Sequence, residues 1–392
     1  MTLTFEQARE CVLRETRAAG DIEQIALGDA DGRVLAEPIH ADRDYPPFAR
    51  SARDGYAVRS ADLPGTLRII GEVRAGEVFS GSVGAGEAVE IMTGAPLPAG
   101  ADQVIMIEHT RREGDRVVID RPAKTGDNFN PRGVEAAAGA AILESGKRLG
   151  FTEVALLAMV GKQCVPVYRR PRVAILPTGD EIVEAGVEPQ EFQIRNSNAW
   201  SLAAQVRRAG GVAEMLPVAR DNYESTRMLV ERGLESDLLL LSGGVSAGKY
   251  DIVEKVLADL GATFFFDRVL IQPGQPLVFG SARGKFFFGL PGNPASTMVT
   301  FEIFARAAVE KMSGATPTLP LLRAKLTREF HHKTGLTRFL PATLSADGAT
   351  ITPQPWQGSG DIAALARANC FLVADADRES WNAGDDIRVL MK

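Results

Sequence analysis

The stretch DLLLLSGG, residues 237–244, is a continuous apolar run that ends in two glycines. A short run without polar alternation predicts a strand buried on both faces, as in a parallel sheet covered by helices. Similar runs occur at residues 172–176 (RVAIL) and 285–290 (KFFFGL). Amphipathic patterns predict helices at residues 199–208, 223–234, 252–260 and 294 to about 312. Residues 172–313 are therefore predicted to form an α/β domain with a parallel sheet.

The segments on either side of this domain have a different character. Short β-rich runs alternate with Gly and Pro turns across residues 41–139, which predicts a β-rich module. Residues 314–392 return to short strands and turns and predict a small C-terminal β-domain. Helices are expected at residues 4–19, where Thr4 and Gln7 form a capping-box pattern, and at about 152–162.

Composition narrows the class of protein. A chain of 392 residues is expected to fold as several domains. Its net charge of -6 argues against nucleic acid as the main partner. Three widely spaced cysteines predict neither a disulfide scaffold nor a zinc site. Because the sequence has neither a signal peptide nor an apolar run long enough to span a membrane, we expect a soluble cytoplasmic protein.

Three distinctive loops follow the predicted parallel strands. They are Thr178-Gly179-Asp180-Glu181, Ser242-Gly243-Gly244-Val245-Ser246 and Pro291-Gly292-Asn293-Pro294. Ligands of open parallel sheets bind beyond the carboxyl ends of the strands, where glycines let a ligand approach the backbone and free amides attract anions. Each loop alone is a weak signal, and the third also fits a simple helix start with Asn293 as cap. Together the loops predict a site for a phosphate or pterin-phosphate ligand.

Acidic residues are expected at the same edge of the sheet. They are Asp180, Glu181, Asp221 and Asp251. Clustered carboxylates can hold Mg²⁺ or accept hydrogen bonds from ligand hydroxyls. Asp221 and Asp251 also fit capping boxes at the starts of helices, so both roles stay open for them. Glu181 follows a glycine turn and does not fit a cap, which favours a functional role.

Two stretches of the β-rich module have ordinary interpretations when taken alone. Residues 46–57 (PPFARSARDGYA) contain the Asp54-Gly55 pair that is typical of a hairpin turn. Residues 92–96 (MTGAP) have the composition of a loop.

Taken together, the motifs resemble one family. The matching stretches are PPFARSARDGYAV (46–58), IMTGAPLPAGADQVI (91–105), ILPTGDEIV (175–183), QIRNSNAWSL (193–202), LLLLSGGVSAGKYD (238–251), GLPGNPAS (289–296) and QPWQGSGDIAALARANC (354–370). They are similar, in order, to motifs of the molybdopterin molybdenumtransferases, a family that includes bacterial molybdenum-insertion enzymes and the E domain of gephyrin. The resemblance extends from about Phe5 to the end of the chain.

The resemblance implies a transferase that inserts molybdate into adenylylated molybdopterin and releases AMP with the help of Mg²⁺, forming molybdenum cofactor. It also implies an elongated homodimer with small-molecule substrates, and other proteins of the cofactor pathway are possible partners. Residues 1–40 and 140–171 would form a linking domain, interrupted by the module at 41–139. The active cleft would lie between the α/β domain of one subunit and the β-rich modules of its partner.

The resemblance also implies roles for individual residues. Glu181, Asp221 and Asp251 would serve substrate, cofactor and metal ion, while Asp54 and Thr93 would complete the cleft from the partner subunit. The ligand pocket would be shaped by Ser242, Gly243, Gly244, Pro291 and Asn293, with Arg338 and Ser359 contributed by the last domain.

This chain departs from the family pattern in three places. Gln272 and Gln275 stand where Lys or Arg is usual around a central Pro-Gly. The usual Gly-Glu-Asp after the β-module reads Gly-Val-Glu, which leaves Glu135 as the carboxylate, and Arg53 replaces a Met. The cations that could compensate for the glutamines are Arg53, Arg195, Lys249 and Arg268.

Three alternatives remain at this stage. The first is the related adenylyltransferase that attaches AMP to molybdopterin, although such an enzyme would not need the β modules. The second is a non-catalytic scaffold of the same fold, which the retained acids Asp54, Glu181, Asp221 and Asp251 oppose. The third is a paralogue that uses tungstate, which the sequence does not separate from molybdate.

Overall fold

The computed structural model describes residues 1–122, 124–244 and 252–392. The chain forms two compact units, each described here by itself. The larger unit consists of Met1–Ala36, Gly146–Gly150 and Val165–Lys392. The smaller unit consists of Glu37–Ser145 and Phe151–Cys164.

A six-stranded sheet forms the centre of the larger unit. In spatial order its strands are Val212–Met215, Arg172–Pro177, Leu238–Ser242, Lys285–Leu290, Val278–Ala282 and Thr263–Phe266. The first four run parallel to one another, as predicted. The sheet is nevertheless mixed, because Val278–Ala282 runs antiparallel to both of its neighbours. A two-residue hairpin causes this reversal: Arg283 and Gly284 have φ values of 50° and 75°, the left-handed geometry of a type I′ turn.

Helices cover both faces of this sheet. Their bounds are Phe5–Glu15, Asn198–Arg208, Tyr223–Gly233, Ile252–Asp259, Pro294–Thr300 and Arg306–Met312. Successive strand residues enter opposite cores: Leu238 and Leu240 lie in one buried cluster, whereas Leu239 and Leu241 lie in the other. The continuous apolar strands arise from this burial on both faces.

Two helices of the larger unit differ from the sequence prediction by more than one residue at an end or in type. The first begins with the predicted capping box, in which Thr4 and Gln7 exchange hydrogen bonds of 3.0 and 3.3 Å. It ends at Glu15 rather than Ala19, because Thr16 is extended. The long helix that starts at Pro294 contains a π-helical segment, Phe301–Ala305, which periodicity does not predict.

The C-terminal region is a closed barrel. Its strands are Leu321–Leu326, Thr337–Leu344, Thr350–Pro353, Cys370–Ala374 and Asp386–Met391. The pairing of Thr337–Leu344 with Cys370–Ala374 closes the ring. The short strand Ile271–Gln272 pairs in parallel with Thr337 and Arg338, so the chain of the α/β region contributes to this sheet. A helix at Ile362–Arg367 and a strand pair, Phe330–His331 with Ser380–Trp381, complete the region.

The smaller unit is mainly β-sheet. Its six strands, in spatial order, are Gln103–Met106, Gly55–Val58, Glu87–Ile91, Gly65–Val73, Arg116–Ile119 and Arg111–Glu113. Gly55 is required at its position, since a Cβ there would lie 1.8 Å from the carbonyl oxygen of Ile105. The helix predicted near residues 152–162 spans Phe151–Met159.

Both units also contain short strands. These lie at Thr2–Leu3, Ile22–Ala26, Ile39–His40, Arg50–Ser51, Phe129–Asn130, Ala141–Leu143, Cys164–Tyr168, Ile182–Val183, Ile194–Arg195 and Arg268–Val269.

The multidomain α/β plus β fold predicted from the sequence is therefore confirmed. Within the described ranges, no helix combines the length and apolar character that crossing a bilayer requires.

Candidate functional site

A cleft of about 800 Å³ opens at the carboxyl edge of the parallel strands of the larger unit. It lies at the switch point of the sheet. There the strand Arg172–Pro177 has Val212–Met215, the next strand of this sheet along the chain, on one side and Leu238–Ser242 on the other. Open α/β sheets bind ligands at such a position. The predicted residues that line the cleft are Thr178, Gly179, Glu181, Asp221, Ser242, Gly243, Gly244, Pro291, Gly292, Asn293 and Ser359.

The first loop places a carboxylate over a glycine. Gly179 has a φ of 136°, and a Cβ there would lie 2.5 Å from an Oε atom of Glu181. A larger residue would both strain the backbone and push the carboxylate away. Gly179 therefore leaves room for the carboxylate of Glu181.

Two aspartates join the first loop to the segment just before the helix Tyr223–Gly233. The backbone N–H of Asp180 donates to Asp221 Oδ2, and the backbone N–H of Asp221 donates to Asp180 Oδ1, both at 3.3 Å. Arg220 donates to the carbonyl oxygen of Asp180 at 3.3 Å, which offsets part of the paired negative charge. Asp221 lines the cleft, whereas Asp180 is outside the lining that the described residues form.

The capping role considered for Asp221 is wrong. The helix Tyr223–Gly233 is capped by Asn222, whose side chain accepts from the Ser225 backbone N–H at 2.9 Å. The carboxylate of Asp221 is therefore not used for that cap.

The second and third loops meet at the cleft floor. Gly243 and Gly244 have φ values of 96° and 63°, and a Cβ on either would press on Thr178 at 2.9 Å. The side chain of Asn198 bridges the two loops, since its Nδ2 donates to Ser242 Oγ at 2.9 Å and to the Gly292 carbonyl at 2.7 Å. Asn198 is the first residue of the helix Asn198–Arg208, which we call the cleft helix.

The Gly-Ser-Gly turn near the C-terminus forms another wall. Asn293 occupies the helix N-cap position as predicted, but its side chain does not cap the helix. Its Nδ2 donates instead to Ser359 Oγ at 2.9 Å, and the Ala295 N–H donates to the Ser359 carbonyl at 2.9 Å. These bonds fix the turn against the α/β region, where Gly358 and Trp356 also line the cleft.

The two glutamines lie at the cleft, as the family pattern implies. Gln272 and Gln275 are both part of the lining, and Gln272 is directly opposite Arg338 in the strand pairing. Arg338 itself is not in the lining formed by the described residues, and it donates to the Lys333 carbonyl at 3.5 Å. Of the cations that could compensate, Arg195 lines the cleft.

Asp54 and Thr93 lie together in the smaller unit. Asp54 Oδ1 accepts from the backbone N–H of Thr93 at 2.6 Å and from its hydroxyl at 2.7 Å. These two hydrogen bonds, the backbone one first, hold the pKa of Asp54 below its usual range. Nearby in the same unit, Glu135 forms an ion pair of 2.6 Å with Arg50.

Comparison with known proteins identifies the family. Family models match residues 3–161 (MoeA N-terminal region, domain I and II), 174–311 (probable molybdopterin binding domain) and 323–391 (MoeA C-terminal region, domain IV). A molybdopterin molybdenumtransferase of Staphylococcus aureus (strain Mu50) is 33% identical over 94% of this chain and 90% of its own length. The chain belongs to the molybdopterin molybdenumtransferase family.

Other relatives agree with this assignment. A molybdopterin molybdenumtransferase of Staphylococcus epidermidis is 34% identical over the same shares of the two chains, 94% and 90%. The solved structure of a molybdopterin biosynthesis MoeA protein from Pyrococcus horikoshii matches all of this chain with a TM-score of 0.84, at 29% identity. The resemblance stated from the sequence is thus confirmed.

Some residues expected at a family site lie outside the described residues. They are Ser246, Lys249 and Asp251. Within the described ranges, no group of three or more His, Cys, Asp or Glu side chains could hold a metal ion. Glu181 and Asp221 nevertheless both line the cleft.

Sequence reasoning missed several lining residues. Asn196, Asn198, Leu336 and Trp356 all line the cleft, yet none was proposed as a site residue. The polar run Arg-Asn-Ser-Asn at the start of the amphipathic cleft helix was the available signal, since it lies inside a motif shared with the family. Trp356 similarly stands two positions before Gly358, the first residue of the Gly-Ser-Gly turn.

Proposed function

We propose that this chain inserts molybdate into adenylylated molybdopterin and releases AMP, producing molybdenum cofactor. The observation that carries the proposal is the single cleft in which three glycine-containing strand-end loops meet the Gly-Ser-Gly turn. Its volume of about 800 Å³ suits a ligand larger than a mononucleotide. Its glycines allow phosphate groups to approach the backbone closely.

The cleft offers different chemistry at its different walls. Glu181 and Asp221 would hold Mg²⁺ with substrate phosphate oxygens, a ligand set that Mg²⁺ accepts, and the ion would neutralise phosphate charge. Thr178, Gly179, Ser242, Gly243, Gly244, Pro291, Gly292 and Asn293 would surround the ligand. Trp356 packs against the core and also lines the cleft, so it offers a flat surface for a heteroaromatic ring.

The oxyanion would bind near Ser359 and the two glutamines. Amide groups donate hydrogen bonds to anions but add no charge. Arg195 supplies a cation in the lining, and Arg338 lies in the strand beside Gln272. Asp180 would act by holding Asp221, to which it is hydrogen-bonded.

We further propose a cytoplasmic homodimer whose chain is divided as 1–40 with 140–171, 41–139, 172–313 and 314–392. In it, Asp54 and Thr93 would complete the cleft of the partner subunit. The two hydrogen bonds that Thr93 donates to Asp54 support a joint role.

The direct test is to incubate the purified chain with adenylylated molybdopterin, Mg²⁺ and molybdate while following AMP release. We expect AMP to appear only when the oxyanion and Mg²⁺ are both present. In a separate incubation with ATP and molybdopterin, formation of pyrophosphate would instead indicate an adenylyltransferase. Absence of AMP release in a folded, ligand-binding protein would indicate a scaffold, and a tungstate arm of the assay would reveal a preference for that oxyanion.

A further inference from the structure

The segment just before the cleft helix contacts the first loop through its backbone. The N–H of Ile194 donates to the Glu181 carbonyl at 2.9 Å, and the N–H of Asn196 donates to the Val183 carbonyl at 2.8 Å. The buried Asn196 side chain accepts from the Ala199 N–H at 3.1 Å and so fixes the start of the cleft helix. The first residue of that helix is thereby held relative to the first loop.

That first residue, Asn198, contacts the other two loops. Its Nδ2 donates to Ser242 Oγ and to the Gly292 carbonyl, at 2.9 and 2.7 Å. Because a carbonyl oxygen can only accept, the amide must present its nitrogen to Gly292, and its orientation is determined. Ser242 is the last residue of one strand, and Gly292 lies two residues beyond the end of the adjacent strand. The side chain therefore spans the gap between two neighbouring strand-end loops.

The amide oxygen of Asn198 is left without compensation. Its Oδ1 is buried and has no hydrogen-bond partner among the described residues. An unpaired buried acceptor lowers stability, and such an atom in a folded protein calls for an explanation. The explanation is that the side-chain nitrogen of Asn198 bonds to both loops. With the nitrogen in that position, the amide oxygen must point away from them.

We propose that Asn198 is a positioning residue for the adenylylated pterin. It acts through Ser242 and Gly292, and it sets the spacing of the second and third loops at the floor of the cleft. This inference rests on the proposed function for its ligand. The two hydrogen bonds of Asn198 to Ser242 and Gly292 are a property of the protein alone.

The test uses an isosteric change. Asn198→Asp keeps the shape of the side chain but presents an acceptor to the Gly292 carbonyl, so the two oxygens repel. Asn198→Ala removes the tie without repulsion. We expect both variants to raise KM for adenylylated molybdopterin about tenfold, and kcat to stay within about threefold, since the tie acts on bound substrate and transition state alike. The equilibrium Kd for the same ligand, measured without molybdate, should rise in parallel.

Gln205→Ala is the matched control. Gln205 lies on the same helix, and its Nε2 donates to the Met298 carbonyl at 3.1 Å and to Glu302 at 2.8 Å, away from the cleft. We expect this variant to lose stability but to keep its KM and Kd. Hydrogen exchange at residues 242–244 and at Gly292 and Asn293 should accelerate in the Asn198 variants and not in the control.

The outcomes separate the two proposals. If the wild type binds the ligand but releases no AMP, the proposed function fails, and the Kd values still decide the role of Asn198. If Asn198→Asp binds the ligand as the wild type does, or if Gln205→Ala shows the same rise in Kd, the positioning role is overturned. A wild type that does not bind adenylylated molybdopterin at all overturns both.

Discussion

At the scale of single residues, Glu181 gives the most direct prediction. Its side chain lies in the cleft, over Gly179, and it is exposed. Glu181→Gln should therefore change the free energy of unfolding by less than about 1 kcal/mol. We expect AMP release to fall at least tenfold, or about 1.4 kcal/mol of transition-state stabilisation. Glu184→Gln, three residues further along the chain and outside the lining, is the control and should keep full turnover. Normal turnover in folded Glu181→Gln would contradict the role.

Gln272 and Gln275 give a second prediction at this scale. Charge-assisted hydrogen bonds to an anion contribute about 1.5–3 kcal/mol each, more than neutral amides do. The Gln272→Lys, Gln275→Lys double variant should therefore require less molybdate for half-maximal AMP release at low salt. The difference should shrink as ionic strength rises.

The control for that experiment carries the same change in net charge. Gln24→Lys with Gln190→Lys adds two cations outside the cleft lining, and the molybdate dependence should stay as in the wild type. If the cleft lysines weaken molybdate binding, the natural glutamines favour molybdate binding better than cations do.

At the scale of elements, Asp237 connects two chain segments at the amino-terminal edge of the sheet. Its carboxylate accepts from Arg169 at 2.9 and 3.2 Å and from the Arg172 N–H at 2.7 Å. Burial alone would raise the pKa of Asp237, but these hydrogen bonds outweigh it and hold the pKa below its usual value. The ionised form is therefore favoured by folding.

Asp237→Asn should consequently lower the free energy of unfolding at pH 7 by about 1–3 kcal/mol. A depressed carboxyl pKa stabilises the fold above the unfolded pKa of about 3.9, and that contribution is lost as pH falls through the folded pKa. The gap between wild type and variant in chemical denaturation should therefore close on acidification below about pH 4. Asp386→Asn, at an exposed pair with Lys325, should have little effect at any pH. A gap that is constant with pH would exclude this ion pair as its cause.

Elements also show what the sequence could predict. The parallel strands and their loops were predictable because burial on both faces leaves continuous apolar runs, and because glycines mark the backbone turns at their ends. The hairpin at Arg283-Gly284 was not, since Arg is an unusual residue for its first position. Asn198 and Trp356 were missed as site residues. An amide that hydrogen-bonds to two loops and an aromatic ring in the cleft wall leave no periodic pattern in the sequence.

At the scale of the whole molecule, the proposed dimer predicts a mass twice the monomer value of 42.0 kDa in light scattering. A shared cleft makes a sharper prediction, because residues of two subunits would form each site. Asp54→Asn and Glu181→Gln proteins should each have little activity alone. Unfolding and refolding them as an equal mixture should restore about one quarter of wild-type activity, since half the dimers would carry one intact site.

A mixture that stays inactive although dimers have exchanged would place both residues in the same subunit's site. The control is a mixture of Glu181→Gln with Glu181→Asn protein, which has no intact combination and should not recover. A monomer at all micromolar concentrations would remove the shared cleft altogether.

The strand Ile271–Gln272 also has a consequence for how the protein is made. It pairs with Thr337 and Arg338, and the wall formed by Trp356 and Ser359 lies still later in the chain. Domains fold from the N-terminus during synthesis. The glycine loops therefore emerge from the ribosome before the wall that faces them. A chain truncated before Leu321 would lack that wall and also Phe339, Phe371 and Leu390, which lie in the same buried cluster as the α/β sheet. We therefore expect the cleft and this core to be completed only after the barrel has been synthesised.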